Sequence, residues 1–308
     1  MSMNTFKRAM RALKSPNLAA RGLNRLYYRR GGMRKYNSDG VDIFSEEWDN
    51  LIILDACTYG LFKQHIDSPE KLESRISRGS NTREFLKGNI GNRDFLDTVY
   101  VTANPQFYKH RTEFGDSFHA VDHVWIEEGW DEDKQTVVPE KLAEHTLKMH
   151  KLYPHKRLIA HFLQPHYPFI GNGPNPFTKE STSMANDNPN CWDRIMRGEI
   201  SVSIEEVRAA YSANLKRVLP TVWNLVESLN GMTIITSDHG NMIGERSKPL
   251  PNTEWGHPRG IYTRQLIKVP WLAIEDERRE IKSDPSVESN SNVPADTVSD
   301  RLKQLGYV

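Results

Sequence analysis

The chain has 308 residues, a formal net charge of +1, 37% apolar and 26% charged residues. That length suits one large domain with insertions, because single cores stop growing near ~250 to 300 residues, and the Trp, Tyr, Phe, Ile and Leu content excludes a disordered chain. No apolar run approaches the ~20 residues that span a bilayer. The opening MSMNTFKRAMRALK lacks the apolar stretch and cleavage site of a secretory signal, and two cysteines, Cys57 and Cys191, cannot build a disulfide framework. The expected location is cytoplasmic.

Charge is unevenly distributed. Residues 1–38 carry ten Lys and Arg and no acidic residue, which leaves the other 270 at −9. A basic N-terminal arm therefore precedes an acidic body. Phe6, Met10 and Leu13 recur at helical spacing among Lys7, Arg8, Arg11 and Lys14, a cationic amphipathic pattern that packs on the acidic body or lies peripherally on the inner face of an anionic membrane. No aromatic-interleaved basic stripe continues into the body, so nucleic acid is not an expected partner.

In chain order, residues 49–56 (DNLIILDA), 98–102 (TVYVT), 157–162 (RLIAHF) and 232–237 (MTIITS) are short apolar runs of the kind that form buried parallel strands. Pro139 opens a helix to about His150. The spacing of Ile204, Val207, Tyr211, Leu215, Val218, Val222, Leu225 and Leu229 predicts a helix over 203–230. Ser203 and Glu206 form its capping box, Pro220 its kink and Gly231 its stop. Residues 171–197, rich in Asn, Pro, Thr and Ser, read as a long loop or lid, 275–295 as a polar tail segment, and 298–307 as a last short helix with its LGY end packed down. Strands alternating with helices imply an α/β fold, a three-layer α/β/α sandwich with a mostly parallel central sheet over 39–275, on which 276–308 packs. Such sheets bind ligands beyond the carboxyl ends of their strands.

The residues at those ends are Asp55, His161 and His166, Asp238 and His239, with His257 in EWGHPRG. Carboxylate oxygen and imidazole nitrogen together suit Zn, Mn or a similar divalent ion, and a carboxylate-dominated site also accepts Ca or Mg. Singly, each histidine reads as an ordinary hydrogen-bonded residue; jointly, their strand-end placement reads as a site for one or two ions. Such an ion activates an oxygen nucleophile and polarises a phosphoryl or sulfuryl oxygen. Cys57, Thr58, Ser80 and Thr82 are the candidate nucleophiles, and Thr82 is favoured because the Gly-Ser-Asn-Thr turn sets it at a helix start, where free amides favour anions. Ser80 or Asn81 capping that helix with Glu84 is the purely structural alternative.

The order of Asp55, a hydroxyl at a helix start, His166 and Pro168, then Thr236-Ser237-Asp238-His239-Gly240 and a following Gly256-His257-Pro258 resembles the alkaline phosphatase superfamily. Within it, the chain is most similar to the sulfatase-like hydrolases and the phosphoethanolamine and phosphoglycerol transferases. The resemblance spans about Trp48 to Trp271, and the RLKQLGY segment is also similar to the end of many sulfatase-like chains.

By that resemblance Asp55, Thr82, Asp238 and His239 hold the first metal, Thr82 becomes covalently modified, and His166 and His257 contact the transferred group or hold a second metal. It implies a metal-dependent hydrolase or transferase acting on a small-molecule, glycan-linked or lipid-linked phosphate ester, with a sulfate ester or a catalytically silent anionic-glycan-binding scaffold as alternatives. Cys57 is followed by Thr-Tyr-Gly-Leu rather than a formylglycine motif, and Thr58 stands where many sulfatase-like relatives carry arginine. Arg78, Arg83 or Arg259 is then expected to bind the anion.

Overall fold

Aliphatic and β-branched runs form the strands of the computed structural model, which describes residues 16–91, 93–115, 117–177, 190–287 and 293–307. In chain order these are β1 (Asn50–Leu54), β2 (Glu73–Ile76), β3 (Phe95–Thr102), β4 (Phe118–His123), the short pair β5 (Trp130–Asp131) and β6 (Thr136–Val137), β7 (Arg157–Phe162), β8 (Thr233–Thr236), β9 (Met242–Ser247), β10 (Asn252–Gly256) and β11 (Lys268–Ile274). Seven of them make one sheet in the order β2-β11-β8-β1-β7-β3-β4. β1 lies parallel between β7 and β8, β3 lies parallel between β7 and β4, and β11 alone runs antiparallel, against both β8 and β2. The fold is thus α/β with a mostly parallel central sheet.

Successive strand residues point to opposite faces, and both faces are covered. Leu51, Ile53, Tyr100, Ile159 and Ile234 pack with Phe85, Leu86 and Phe107 on one side. Ile52, Leu54, Val99, Leu158 and Ile235 pack with Leu142, Leu215, Val218 and Val222 on the other. The first set comes from the Thr82–Asn89 and Gln106–Lys109 helices, the second from the Pro139–Leu152 and Ile204–Ser228 helices. Burial of each large side chain contributes roughly 1.5–3 kcal/mol, so both layers are needed to hold a sheet with no polar face.

The Ile204–Ser228 helix begins as expected, with Ser203 accepting from the Glu206 amide, but it runs unbroken through Pro220. Within the expected 171–197 loop, Cys191–Met196 is instead a helix capped by Asn190, and its Trp192 packs with Tyr167, Phe177 and Trp255 in a separate apolar cluster. Residues 178–189 of that loop lie outside the described residues, as do Phe6, Met10 and Leu13. Within the polar run 275–295, residues 279–287 lie across the amino ends of the strands: the Arg279 guanidinium donates to the Asp49 carbonyl and to Asn50 Oδ1, both at 2.9 Å, and the Asp284 amide donates to the Leu96 carbonyl. Sequence patterning recognises β1, β3, β7 and β8 and passes over the rest: β2, β4, β9 and β10 carry too few apolar residues in a row, β5 and β6 are two residues each, and β11 contains Pro270.

The end of the basic arm is structured. Pro16–Tyr28 is a helix whose Arg21 is buried, its guanidinium 2.7 Å from Glu254 and 2.8 Å from Asp193. Glu254 is fully buried. Arg21→Ala strands that carboxylate and should cost on the order of 3 kcal/mol in urea unfolding, whereas Lys303→Ala, which breaks an exposed pair with Asp300, should cost about 0–1 kcal/mol.

Candidate active site

Four parallel strands and the entry to β11 deliver their polar residues to one edge of the sheet. β1 ends into Asp55, β8 into Ser237-Asp238-His239, β7 into His166, and β3 into Asn104, while His257 lies in the segment leading to β11. The chain leaves β1 abruptly: Ala56 has φ 60°, a left-handed conformation costing a non-glycine residue roughly 1–2 kcal/mol. In that position the Ala56 amide donates to Asp238 Oδ1 at 3.0 Å. Gly240 makes the matching turn after β8, and any side chain there would collide with the Gln265 carbonyl oxygen at 2.0 Å.

Thr82 sits where these segments meet. Its hydroxyl donates to Asp238 Oδ2 at 2.8 Å and lies 3.3 Å from His239 Nε2 and 3.5 Å from Asp55 Oδ2. Thr82, Asp55, Asp238 and His239 are all fully buried. Asn81 caps the helix that Thr82 opens, accepting from the Glu84 amide at 2.9 Å, so capping and site roles fall on adjacent residues. Ser80 and Thr58, the other hydroxyl candidates, are committed elsewhere. Ser80 Oγ donates to the Pro258 carbonyl or the Glu84 carboxylate and accepts from the Gly260 amide at 2.9 Å; Thr58 caps the Tyr59–Lys63 helix. Cys57 is buried away from solvent, which pushes its thiol well above the ordinary range.

Asp55, Asp238 and His239 bring one ligand atom each within 4.8 Å of one another. His239 Nδ1 donates to the Gly240 carbonyl at 2.8 Å, which turns the lone pair of Nε2 toward the carboxylates, the orientation metal-binding imidazoles take. Asp55 Oδ1 is buried with no hydrogen-bond partner, and so is His161 Nε2, 3.8 Å from Asp238 Oδ2 and 4.0 Å from Asp55 Oδ2. Two buried carboxylates, an orphaned oxygen and an orphaned ring nitrogen aimed at one point form a donor set that fits a divalent cation. Burial first, and then the Asp238 charge, hold Asp55 well above the usual carboxylate range.

His166 and His257 form a pair beside this cluster. Their Nε2 atoms are 2.8 Å apart, and His166 Nδ1 donates to the Tyr167 carbonyl. Burial lowers the His166 imidazole to about 4 and, with His166 as neighbour, lowers His257 as well, so both are neutral at pH 7. His257 turns its Nε2 to His166 rather than to the carboxylates, although its ring lies 4.8 Å from that of His239.

Two residues at this edge escape the sequence patterns. Asn104 donates to Asp55 Oδ2 at 2.6 Å and to the Tyr307 hydroxyl at 2.7 Å; Tyr307 donates to Asp55 and stacks on His166 with ring centroids 4.8 Å apart. Asn104 directly follows a recognisable strand, so the rule that ligands gather beyond strand ends could have found it. The LGY end of the last helix packs down as its sequence suggests, with Leu305 buried, but nothing in the spacing signals that Tyr307 reaches Asp55. Of the arginines expected to bind an anion, Arg78 donates to the Gly40 and Gly88 carbonyls and pairs with Asp42, which removes it. Arg83 follows Thr82 directly and pairs with Glu113 at 3.5 Å, and Arg259 lies two residues after His257 with its Nε 3.7 Å from Glu84; the Nε of each is buried without a hydrogen-bond partner.

A carboxyl group with a raised folded-state pKa keeps a proton that the unfolded chain has lost, so stability falls as pH rises from about 4 through the raised value. The buried neutral histidines act in the opposite sense, because the unfolded chain takes up their protons below about 6.5. Asp55→Asn should therefore raise the melting temperature of chelator-treated protein at pH 7 and abolish the further rise that added Zn or Mn produces in the unsubstituted chain.

No protein-family description matches the chain and no curated protein does. Among solved structures, it is similar to the C-terminal periplasmic domain of EptC from Escherichia coli in complex with Zn, at 13% identity over 78% of this chain and 76% of that one, with a TM-score of 0.48. The soluble domain of lipooligosaccharide phosphoethanolamine transferase A from Neisseria meningitidis follows at 10% identity, 73% and 75% coverage and TM-score 0.43. The lipoteichoic acid synthase LtaP from Listeria monocytogenes gives 11%, 77% and 66%, and 0.43. At these values the likeness carries no argument about residue roles. These structures fall within the branch that the order of motifs in this chain resembles.

Proposed function

We propose that the chain is a metal-dependent enzyme that hydrolyses or transfers a phosphate ester through a covalent threonine intermediate. The observation that carries this reading is the Thr82 hydroxyl, buried and set 2.8 Å from Asp238 Oδ2, 3.3 Å from His239 Nε2 and 3.5 Å from Asp55 Oδ2. A hydroxyl with only a capping duty has no need of two fully buried carboxylates. Asp55, Asp238, His239 and Thr82 Oγ1 would hold the cation, with the orphaned His161 Nε2 as a further donor. When bound, it would balance the two carboxylate charges, favour the alkoxide of Thr82 and draw charge from a nonbridging phosphoryl oxygen.

The chain's own groups account for the remaining steps. Asp238 Oδ2 accepts the Thr82 proton as the Oγ1–P bond forms and the bond from phosphorus to the leaving oxygen breaks. The departing oxygen takes its proton from solvent, because a neutral imidazole is too weak an acid to supply one. The neutral His166–His257 pair acts as base instead: it accepts a proton from the incoming water or alcohol as that oxygen bonds to phosphorus and releases it to solvent, while the Thr82 Oγ1–P bond breaks and Oγ1 recovers its own proton from Asp238. Arg83 and Arg259, the anion binders left after Arg78 is excluded, would face the ester's charge. Sulfate transfer through an aldehyde hydrate receives no support, because the buried Cys57 thiol is directed at the Thr58 carbonyl rather than at the cluster.

In a panel of p-nitrophenyl phosphate, bis-p-nitrophenyl phosphate and p-nitrophenyl sulfate, turnover is expected on a phosphate and to be lost with chelator. Thr82→Ala should lower kcat by roughly a thousandfold or more while keeping the cation-induced rise in melting temperature. Asp238→Ala and His239→Ala should lose both. Normal turnover by Thr82→Ala would refute the covalent role.

A further inference from the structure

The Pro16–Tyr28 helix is inverted relative to an ordinary surface helix. Arg21 and Asn24 are buried, while Leu23 and Leu26 are 55% exposed and Tyr27 64%. Asn24 explains the inward face: its side-chain amide donates to the Ser247 hydroxyl and the Leu250 carbonyl, and its oxygen accepts from the Leu250 amide. Nothing within the described residues covers the outward face. Met33, in the turn that follows, is 81% exposed, and Leu250, joined to the helix through Asn24, is 41% exposed. Single exposed apolar side chains are normal on a protein surface, but five of the seven large ones among the described residues gather at this one place. Such clustering marks a contact surface.

Charge selects the occupant. Residues 16–38 contain six Arg and Lys and no acidic residue. Arg30 and Lys35 are exposed, and neither makes an ion pair among the described residues; nor do Arg25 and Arg29. An apolar row at helical spacing, bordered by unneutralised cations, has the composition of a helix lying in the headgroup plane of an anionic bilayer. A second copy presenting the same face would meet like charge. The preceding segment 1–15 of this chain, with Lys7, Arg8, Arg11 and Lys14, would do the same.

We propose that the outward face of the Pro16–Tyr28 helix, with Leu23, Leu26, Tyr27 and Met33 as the inserted side chains and Arg30 and Lys35 as headgroup contacts, docks the protein on anionic membrane. This surface is coupled to the candidate active site. Arg25 Nε donates to the Arg259 carbonyl at 2.8 Å, the Arg29 and Arg25 stems lie over Gly260, and Tyr28 packs edge-on against Tyr262 with centroids 5.9 Å apart. The docked helix thus grips the segment that carries His257. Membrane docking by this face requires neither the metal nor the chemistry and is read by binding alone.

The test is co-sedimentation of the full chain with vesicles of phosphatidylcholine alone or with about one third phosphatidylglycerol, at low and high salt. Binding is expected only to the anionic vesicles and to weaken with salt. Leu23→Ser/Leu26→Ser and Arg30→Glu/Lys35→Glu should each raise the lipid concentration for half-binding by about tenfold or more, with unchanged melting temperature. Because both native cysteines are buried, Leu26→Cys can be labelled selectively with a polarity-sensitive fluorophore, whose emission should shift to the blue on the anionic vesicles. Absence of binding by the unsubstituted chain, binding by the serine variant equal to it, or a label that reports no change on bound protein would each overturn the proposal.

Discussion

Two carboxylates that no solvent reaches, Asp55 and Asp238, converge on one hydroxyl, and the geometry of the sheet edge is organised around that electrostatic problem. Ionised groups leave water at a cost of several kcal/mol each unless opposite charge compensates. Here compensation inside the protein is partial. Asp238 accepts two backbone amides through Oδ1, and Asp55 accepts from Asn104 and Tyr307 through Oδ2, yet Asp55 Oδ1 has no partner. The missing term is a positive charge, and the direction in which the Asp55 carboxyl is displaced says the same in the language of protonation.

That demand explains local features that would otherwise be liabilities. A left-handed alanine directly after the first strand is unfavourable alone, but it sets the Ala56 amide against Asp238 and turns Asp55 out of the pleat. Gly240 allows the backbone after β8 to approach its neighbour more closely than any Cβ permits. Strain and close approach sit at the strand ends because the ligands must leave the sheet there, while the interior of the sheet follows ordinary alternation.

Much of this was legible in the sequence, for identifiable reasons. A strand buried on both faces announces itself as a short aliphatic run, so β1, β7 and β8 and their terminal Asp55 and Asp238 can be read directly, and β3 is found as its 98–102 core. Helices with a regular apolar face are equally visible, as with Ile204–Ser228. β2 begins with the exposed Glu73, β4 mixes His and Asp with its apolar residues, and β11 contains a proline; in each, sheet pairing overrides a weak local signal. The choice of Thr82 over Ser80 depends on which hydroxyl faces the carboxylates, a tertiary fact. Tyr307 is further still from legibility, because its position depends on the packing of Leu302 and Leu305 beneath it.

One contact ties the two halves of the candidate site together. Glu84, on the helix that Thr82 opens, and Ser80 just before it both receive the Gly260 amide, three residues after His257. The nucleophile's helix and the imidazole-bearing loop are thereby pinned by a single buried knot of hydrogen bonds, so neither can drift without the other. Alignment of attacking oxygen and proton carrier is consequently a property of one rigid joint, and adapting the site to a bulkier ester would have to proceed by reshaping its outer rim while this hinge-less centre stays fixed.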